Sequence, residues 1–143
     1  LDGNRDMYVV QAGDGGKTFG RAARLGSGTW KLNACPMDGG ALQVDSTGKA
    51  VSIWRREGEV FLSTGPSQEQ RLGPGRQPIL AATPRGPVLA WTEGKALKVI
   101  RPGQASAETL DSDAAYPSMV ALPNGSVTLA WEQGGGVIVR ALN

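Results

Sequence analysis

The segment RGPVLAW, residues 85–91, places a glycine turn immediately before a short apolar run that ends in tryptophan. Two other segments repeat this order, GKAVSIW at 48–54 and NGSVTLAW at 124–131. After each tryptophan another apolar run begins six residues later, at Val60, Leu97 and Val137. A further apolar run precedes each glycine turn. Short apolar runs bounded by glycine turns predict β-strands, so the chain reads as a repeated set of strands.

The repeating unit is predicted to contain four strands, A to D. A glycine turn joins A to B, B ends in tryptophan, a short turn leads to C, and a loop leads to D. The predicted units are a partial one at 1–28, two full ones at 36–73 and 77–111, and one at 117–143 that lacks its last strand. This spacing is typical of four-stranded β-propeller blades. We therefore expect an all-β single domain over 1–143, with about three blades and with the tryptophans in the core between them. An ordinary β-sandwich with coincidental tryptophan spacing is the alternative.

Composition excludes several classes of function. The chain has 143 residues and a net charge of +2, and its longest basic run is Arg55-Arg56, so a nucleic-acid partner is not expected. No apolar run approaches the roughly 20 residues that cross a bilayer, so a membrane partner is not expected. One cysteine, Cys35, excludes an internal disulfide, and we expect it to be a small buried residue. Histidine is absent, which excludes histidine-based catalysis and histidine metal ligands. We predict no metal and no cofactor.

The stretch GDGGKTFG, residues 13–20, is predicted to connect strands C and D of the first unit. Its glycines permit a tight turn, and an aspartate in such a turn accepts hydrogen bonds from the amides that follow it. The form resembles the Asp-box of BNR repeats in sialidase-like β-propellers, with matching residues Asp14, Gly16, Thr18 and Phe19. The segment WKLNACPMDGGAL, residues 30–42, resembles a stretch that follows an Asp-box in bacterial exo-α-sialidase-like proteins.

This resemblance implies that the chain is the C-terminal half of a six-bladed propeller. It also implies a structural role for the Asp-box, in which Asp14 and Thr18 tie the turn and Phe19 packs inward. A secreted or periplasmic location is implied by the resemblance alone. The expected partner is either a second copy of the chain, forming a homodimeric ring, or the missing half of the propeller.

The candidate site lies on the opposite face from the Asp-box, where the D-to-A and B-to-C connections meet. Arginine matches the geometry of a carboxylate, so this face is expected to bind an anionic glycan, a peptide or a protein. The predicted ligand-binding residues are Arg55, Arg56, Arg76 and Glu132.

Besides a purely structural or assembly role, two functions are compatible with these residues. The leading interpretation is a non-enzymatic binding module. The alternative is a sialidase-like glycoside hydrolase whose active site is completed by other blades, and the resemblance would then give the catalytic roles to Tyr116, Glu93 and Asp38. The chain has no Arg-Ile-Pro segment, which sialidases use for one of their arginines. This departure favours binding over catalysis.

Overall fold

Four antiparallel sheets make up the computed structural model, which describes residues 3–35 and 37–142. Sheet I contains β1 (Tyr8–Val9) and β2 (Ala23–Arg24). Sheet II contains β3 (Ala41–Val44), β4 (Ala50–Arg56), β5 (Glu59–Ser63) and β6 (Gln70–Pro74). Sheet III contains β7 (Arg76–Thr83), β8 (Gly86–Glu93), β9 (Ala96–Ile100) and β10 (Glu108–Asp111). Sheet IV contains β11 (Ala115–Ala121), β12 (Val127–Gln133) and β13 (Gly136–Leu142).

The prediction of an all-β chain is confirmed. Within these two ranges no helix is present, and none could therefore span a membrane. Each sheet is a simple meander in which consecutive strands pair side by side. Short glycine turns leave few residues for any other connection, which explains the local topology.

The register of the second and third strands is the same in sheets II, III and IV. The three tryptophans lie opposite residues that follow them by seven positions, in the pairs Trp54–Phe61, Trp91–Lys98 and Trp131–Ile138. The strands continue two residues past each tryptophan, so the prediction that strand B ends at tryptophan is wrong. Residues that the sequence assigned to turns consequently lie within strands, where side chains alternate between the two faces.

Sheets II, III and IV each bury one tryptophan against the sheet that precedes them in the chain. We call the side that carries the tryptophan the tryptophan face and the other side the forward face. Trp91 and Leu89 of sheet III pack with Val51, Ile53 and Val60 of sheet II. All these residues are less than 5% exposed. The prediction that the tryptophans form the core between sheets is confirmed here.

The same arrangement recurs at the other two interfaces, between sheets I and II and between sheets III and IV. The tryptophan face of sheet II packs against sheet I, through a cluster made of Trp54, Phe61, Leu25, Met7 and Val9. The tryptophan face of sheet IV, with Leu129 and Trp131, packs against the forward face of sheet III, which contributes Ala81, Val88, Ala90, Leu97 and Val99. The sheets therefore stack in chain order, and each interface uses equivalent strand positions.

The connection between β1 and β2 contains the predicted Asp-box turn. Asp14 accepts hydrogen bonds from the backbone amides of Lys17 and Thr18, both at 3.0 Å, and from the Thr18 hydroxyl at 2.6 Å. The Thr18 hydroxyl and amide lower the pKa of Asp14 below its ordinary value. Phe19 is 64% exposed, so the prediction that it packs inward is wrong. Sheet I has only two short strands, and the described residues place no further sheet beside it.

Gly75, between β6 and β7, lies directly against the ring of Trp91. A Cβ atom there would lie 2.2 Å from Cδ1 of Trp91 and 2.7 Å from the Thr92 carbonyl oxygen. We expect Gly75→Ala to lower the free energy of unfolding by about 1–3 kcal/mol, the usual cost of overpacking a core. Denaturant unfolding followed by tryptophan fluorescence measures this loss. Gly13→Ala is the matched control, because a Cβ at Gly13 meets nothing within 4 Å. Equal stability of the two variants would contradict the packing described here.

Candidate functional site

An open groove of about 810 Å³ runs across sheets II, III and IV at the end where their first strands begin. This is the face formed by the predicted D-to-A and B-to-C connections. Its polar and charged lining comes from all three sheets and their loops and comprises Asp38, Arg55, Arg76, Gln77, Thr92, Lys95 and Tyr116. The groove therefore depends on how the sheets are stacked rather than on any one of them.

Two β-bulges shape the wall of the groove. In β7 the register shifts between Arg76 and Ile79, and in β11 it shifts between Ala115 and Ser118. The residues inside the bulges have positive φ angles, 53° at Gln77 and 50° at Tyr116. Such backbone costs about 1–3 kcal/mol per residue and persists only where the surroundings enforce it. In both cases a buried proline follows, Pro78 or Pro117, and it anchors the bulge in the stack.

A hydrogen-bond relay joins the three sheets along the groove. The Asp38 carboxylate accepts a bond of 3.0 Å from the backbone amide of Gln77. The Gln77 side-chain oxygen then accepts a bond of 3.1 Å from the backbone amide of Tyr116. Both bonds span 39 residues, so one contact is repeated by successive units of the chain. The relay fixes the strained bulge residues at the groove wall.

The groove is positively charged. Arg55 forms an ion pair of 3.1 Å with Asp38, and its guanidinium lies 5.3 Å from the centre of the Trp30 ring. Lys95 forms an exposed ion pair with Asp113 at 3.0 Å. Arg76 is exposed, and no carboxylate of residues 3–35 or 37–142 lies within ion-pair distance of it. Its guanidinium is therefore available to an anion from outside the chain.

Four of the predicted site residues meet in this groove: Asp38, Arg55, Arg76 and Tyr116. The other three do not line it. Arg56 points to the opposite face of β4 from Arg55, where it binds Glu69 through two bonds of 2.6 and 2.8 Å and lies over the Phe61 ring. Glu93 pairs with Lys98 at 3.3 Å. Glu132 is exposed near the end of β12.

Sequence reasoning missed the part played by Gln77. Its signal was present, because RQPI at 76–79 and AYPS at 115–118 both place a proline two residues after the start of a first strand. Lys95 was missed as well, since nothing near it in sequence indicates the groove. Cys35 is exposed, so the prediction that it is buried is wrong.

Searches against protein families, curated proteins and solved structures found no match to this chain. In the part of the chain that the structure describes, no group of three or more acidic, cysteine or histidine side chains is arranged to hold a metal ion. The geometry and charge of the groove are therefore the basis for any functional proposal.

The Arg56–Glu69 pair gives a pH prediction. The Arg56 guanidinium lowers the pKa of Glu69 below its ordinary value, and both side chains are 14% exposed. A carboxyl whose pKa is lowered on folding stabilises the fold above its unfolded pKa of about 4.3, and this contribution is lost as the pH falls through the folded value. We expect Glu69→Gln to lower the free energy of unfolding at pH 7 by about 1–3 kcal/mol. The difference from the unmodified protein should shrink towards pH 3.

Denaturant titrations at several pH values measure this effect. Glu59→Gln is the control, because Glu59 pairs with Arg71, which is 61% exposed, and such pairs contribute about 0–1 kcal/mol. A Glu69→Gln variant whose deficit is the same at pH 3 as at pH 7 would show that the ion pair is not responsible.

Proposed function

We propose that this chain is a non-enzymatic binding module of the β-propeller type, similar to BNR-repeat, sialidase-like proteins. In this proposal the sheets are blades, and the groove binds a ligand that carries a carboxylate, such as an anionic glycan. The observation that carries the proposal is the exposed Arg76 guanidinium, which has no anionic partner among the described residues and lines a groove shared by three sheets. A bidentate pair between arginine and a carboxylate is among the stronger hydrogen-bonded contacts in proteins.

The surroundings of Arg76 support the same ligand class. The lining side chains include three cations and one carboxylate, which leaves an excess of positive charge. Tyr116 is 65% exposed and lines the same groove as Arg76, where it offers an apolar ring face together with a hydroxyl group. An arginine and an exposed aromatic ring in one groove suit a sugar acid, which carries both a charge and an apolar face.

The backbone that carries these side chains is held in place before any ligand arrives. Arg76 precedes the bulge at Gln77, and Tyr116 occupies the second bulge, so the hydrogen-bond relay limits where their backbone can move. Preorganisation reduces the entropy lost on binding. This is the reason to expect a specific site rather than general attraction to a positive surface.

The alternative of a glycoside hydrolase gains little from this arrangement. Two carboxyl groups must flank the scissile bond in most such enzymes. Asp38 is engaged by Arg55 and by the Gln77 amide, and Glu93 pairs with Lys98 outside the groove. The three candidate catalytic residues therefore do not converge on one point, and hydrolysis would require groups from outside residues 3–35 and 37–142.

Calorimetric titration with sialyllactose and with lactose tests the proposal, because the two ligands differ by one carboxylate-bearing sugar. We expect binding of sialyllactose and about a 10- to 100-fold loss of affinity in Arg76→Gln, as for removal of a charge-assisted hydrogen bond. Arg21→Gln, at an exposed arginine outside the groove, should bind as the unmodified protein does. Equal affinity for the two sugars, or equal losses in the two variants, would refute carboxylate recognition at Arg76.

A fluorogenic sialoside separates binding from catalysis. The proposal predicts no release of the fluorophore at high protein concentration. Turnover that disappears in Tyr116→Phe would instead establish the hydrolase, since that substitution removes only the phenol oxygen.

A further inference from the structure

The forward face of sheet IV exposes residues that are buried at the same positions of sheet III. Val137 and Val139 are 67% and 66% exposed. Their counterparts in β9, by register with the tryptophans, are Leu97 and Val99, and both are 0% exposed. Sheet III has its forward face covered by sheet IV, whereas the described residues place nothing on the forward face of sheet IV. Sheet IV also lacks a fourth strand, so the outer edge of β13 is unpaired among the described residues.

Sheet I, at the other end of the stack, contains the third and fourth strands of a sheet without the first two. Its two strands pair as Tyr8–Arg24 and Val9–Ala23. They correspond to the third and fourth strands of sheets II and III, as the alignment of DMYVV at 6–10 with EVFLS at 59–63 predicts. Val9 of sheet I, and Met7 just before β1, pack against Trp54 and Phe61 of sheet II. These two residues therefore hold, at the start of the stack, the positions that Val137 and Val139 hold at its end.

We propose that β13 of one copy replaces β1 in a second copy of this chain. In the exchanged arrangement β13 pairs with β2 of the second copy, with Val139 opposite Ala23 and Ile138 opposite Arg24. Val137 and Val139 then lie on Trp54 and Phe61, in the place of Met7 and Val9. The second copy returns its own β13 to the first, so two copies close the assembly with identical contacts.

The strand lengths favour this exchange. The β1–β2 ladder has two paired residues, whereas β13 has seven residues with an unpaired edge. An unpaired edge strand is a template for pairing with another chain, and exchange of an equivalent element is a low-cost route to a dimer. The exchange covers two exposed valines and releases the segment around β1, including the 2.9 Å ion pair of Asp6 with Arg24 and the bond from the Arg5 amide to the Trp30 carbonyl. The proposal is independent of the ligand proposed above, because none of these residues lines the groove.

A designed disulfide tests the predicted register. Ala23→Cys and Val139→Cys are combined in the full chain with Cys35→Ser, which removes the native thiol. These two positions lie in sheets I and IV of one copy but become cross-strand neighbours in the exchanged dimer. We expect a covalent dimer on a non-reducing gel. Ala23→Cys with Ile138→Cys is the matched control, because Ile138 points to the other face of β13 and should give little or no dimer.

Solution mass tests the same contact without cysteines. Sedimentation velocity over a range of concentrations should show a monomer–dimer equilibrium. The double variant Val137→Lys, Val139→Lys should weaken the dimer by at least about a hundredfold, since it would bury unpaired charges. Both valines are exposed in the single copy, so the double variant should have the same circular dichroism spectrum as the unmodified protein. Gln70→Lys, at an exposed position of β6 on the forward face of sheet II, should leave the dimer intact.

The proposal is overturned if the protein remains a monomer at every concentration, or if a dimer forms that the lysine pair leaves unchanged. It is also overturned if the two cysteine pairs cross-link equally or not at all. Cross-linking that is selective for the Ala23→Cys, Val139→Cys pair, together with the loss of dimer in the double lysine variant, supports it.

Discussion

Burial of each tryptophan face on the preceding sheet is the contact on which the rest of this structure depends. Trp91 is 2% exposed between sheets II and III, and equivalent contacts join the other sheets. Fully burying a large apolar side chain contributes about 1.5–3 kcal/mol, whereas an isolated small sheet is marginal in water. Each sheet therefore depends on a neighbour. Sheets II and III are covered on both faces and form the centre of the stack, while sheets I and IV are each covered on one.

The same stacking creates the groove. Because the sheets repeat with one register, the starts of their first strands come together at one end, and the bulges at Gln77 and Tyr116 face the same space. The relay from Asp38 to Gln77 to Tyr116 then joins the sheets at the point where their strain is greatest. A ligand bound there as proposed would contact several sheets at once, so its binding would add to the cohesion of the stack.

The sequence was sufficient to predict the strands because their signals are local: a glycine turn, an apolar run and a tryptophan in fixed order. It was insufficient where the outcome depends on distant neighbours. Phe19 is exposed because none of the described sheets covers it. The turn motif alone does not show whether another sheet lies beside its apolar side chain. Arg55 and Arg56 were both assigned to the candidate site because β4 was predicted to end at Trp54. The strand continues through Arg56, so alternation sends only Arg55 into the groove.

Hydrogen exchange measured by NMR, with the protein dilute enough to be monomeric, is the most direct test of the stack. Amide protection follows the free energy of the opening that exposes each amide. If every sheet is held by its neighbours, the amides of β8 should be the most protected, and those of β1 and β13 should exchange at least about a hundredfold faster. Uniform protection across sheets I to IV, or protection in β13 equal to that in β8, would contradict a stack held together by its tryptophan faces.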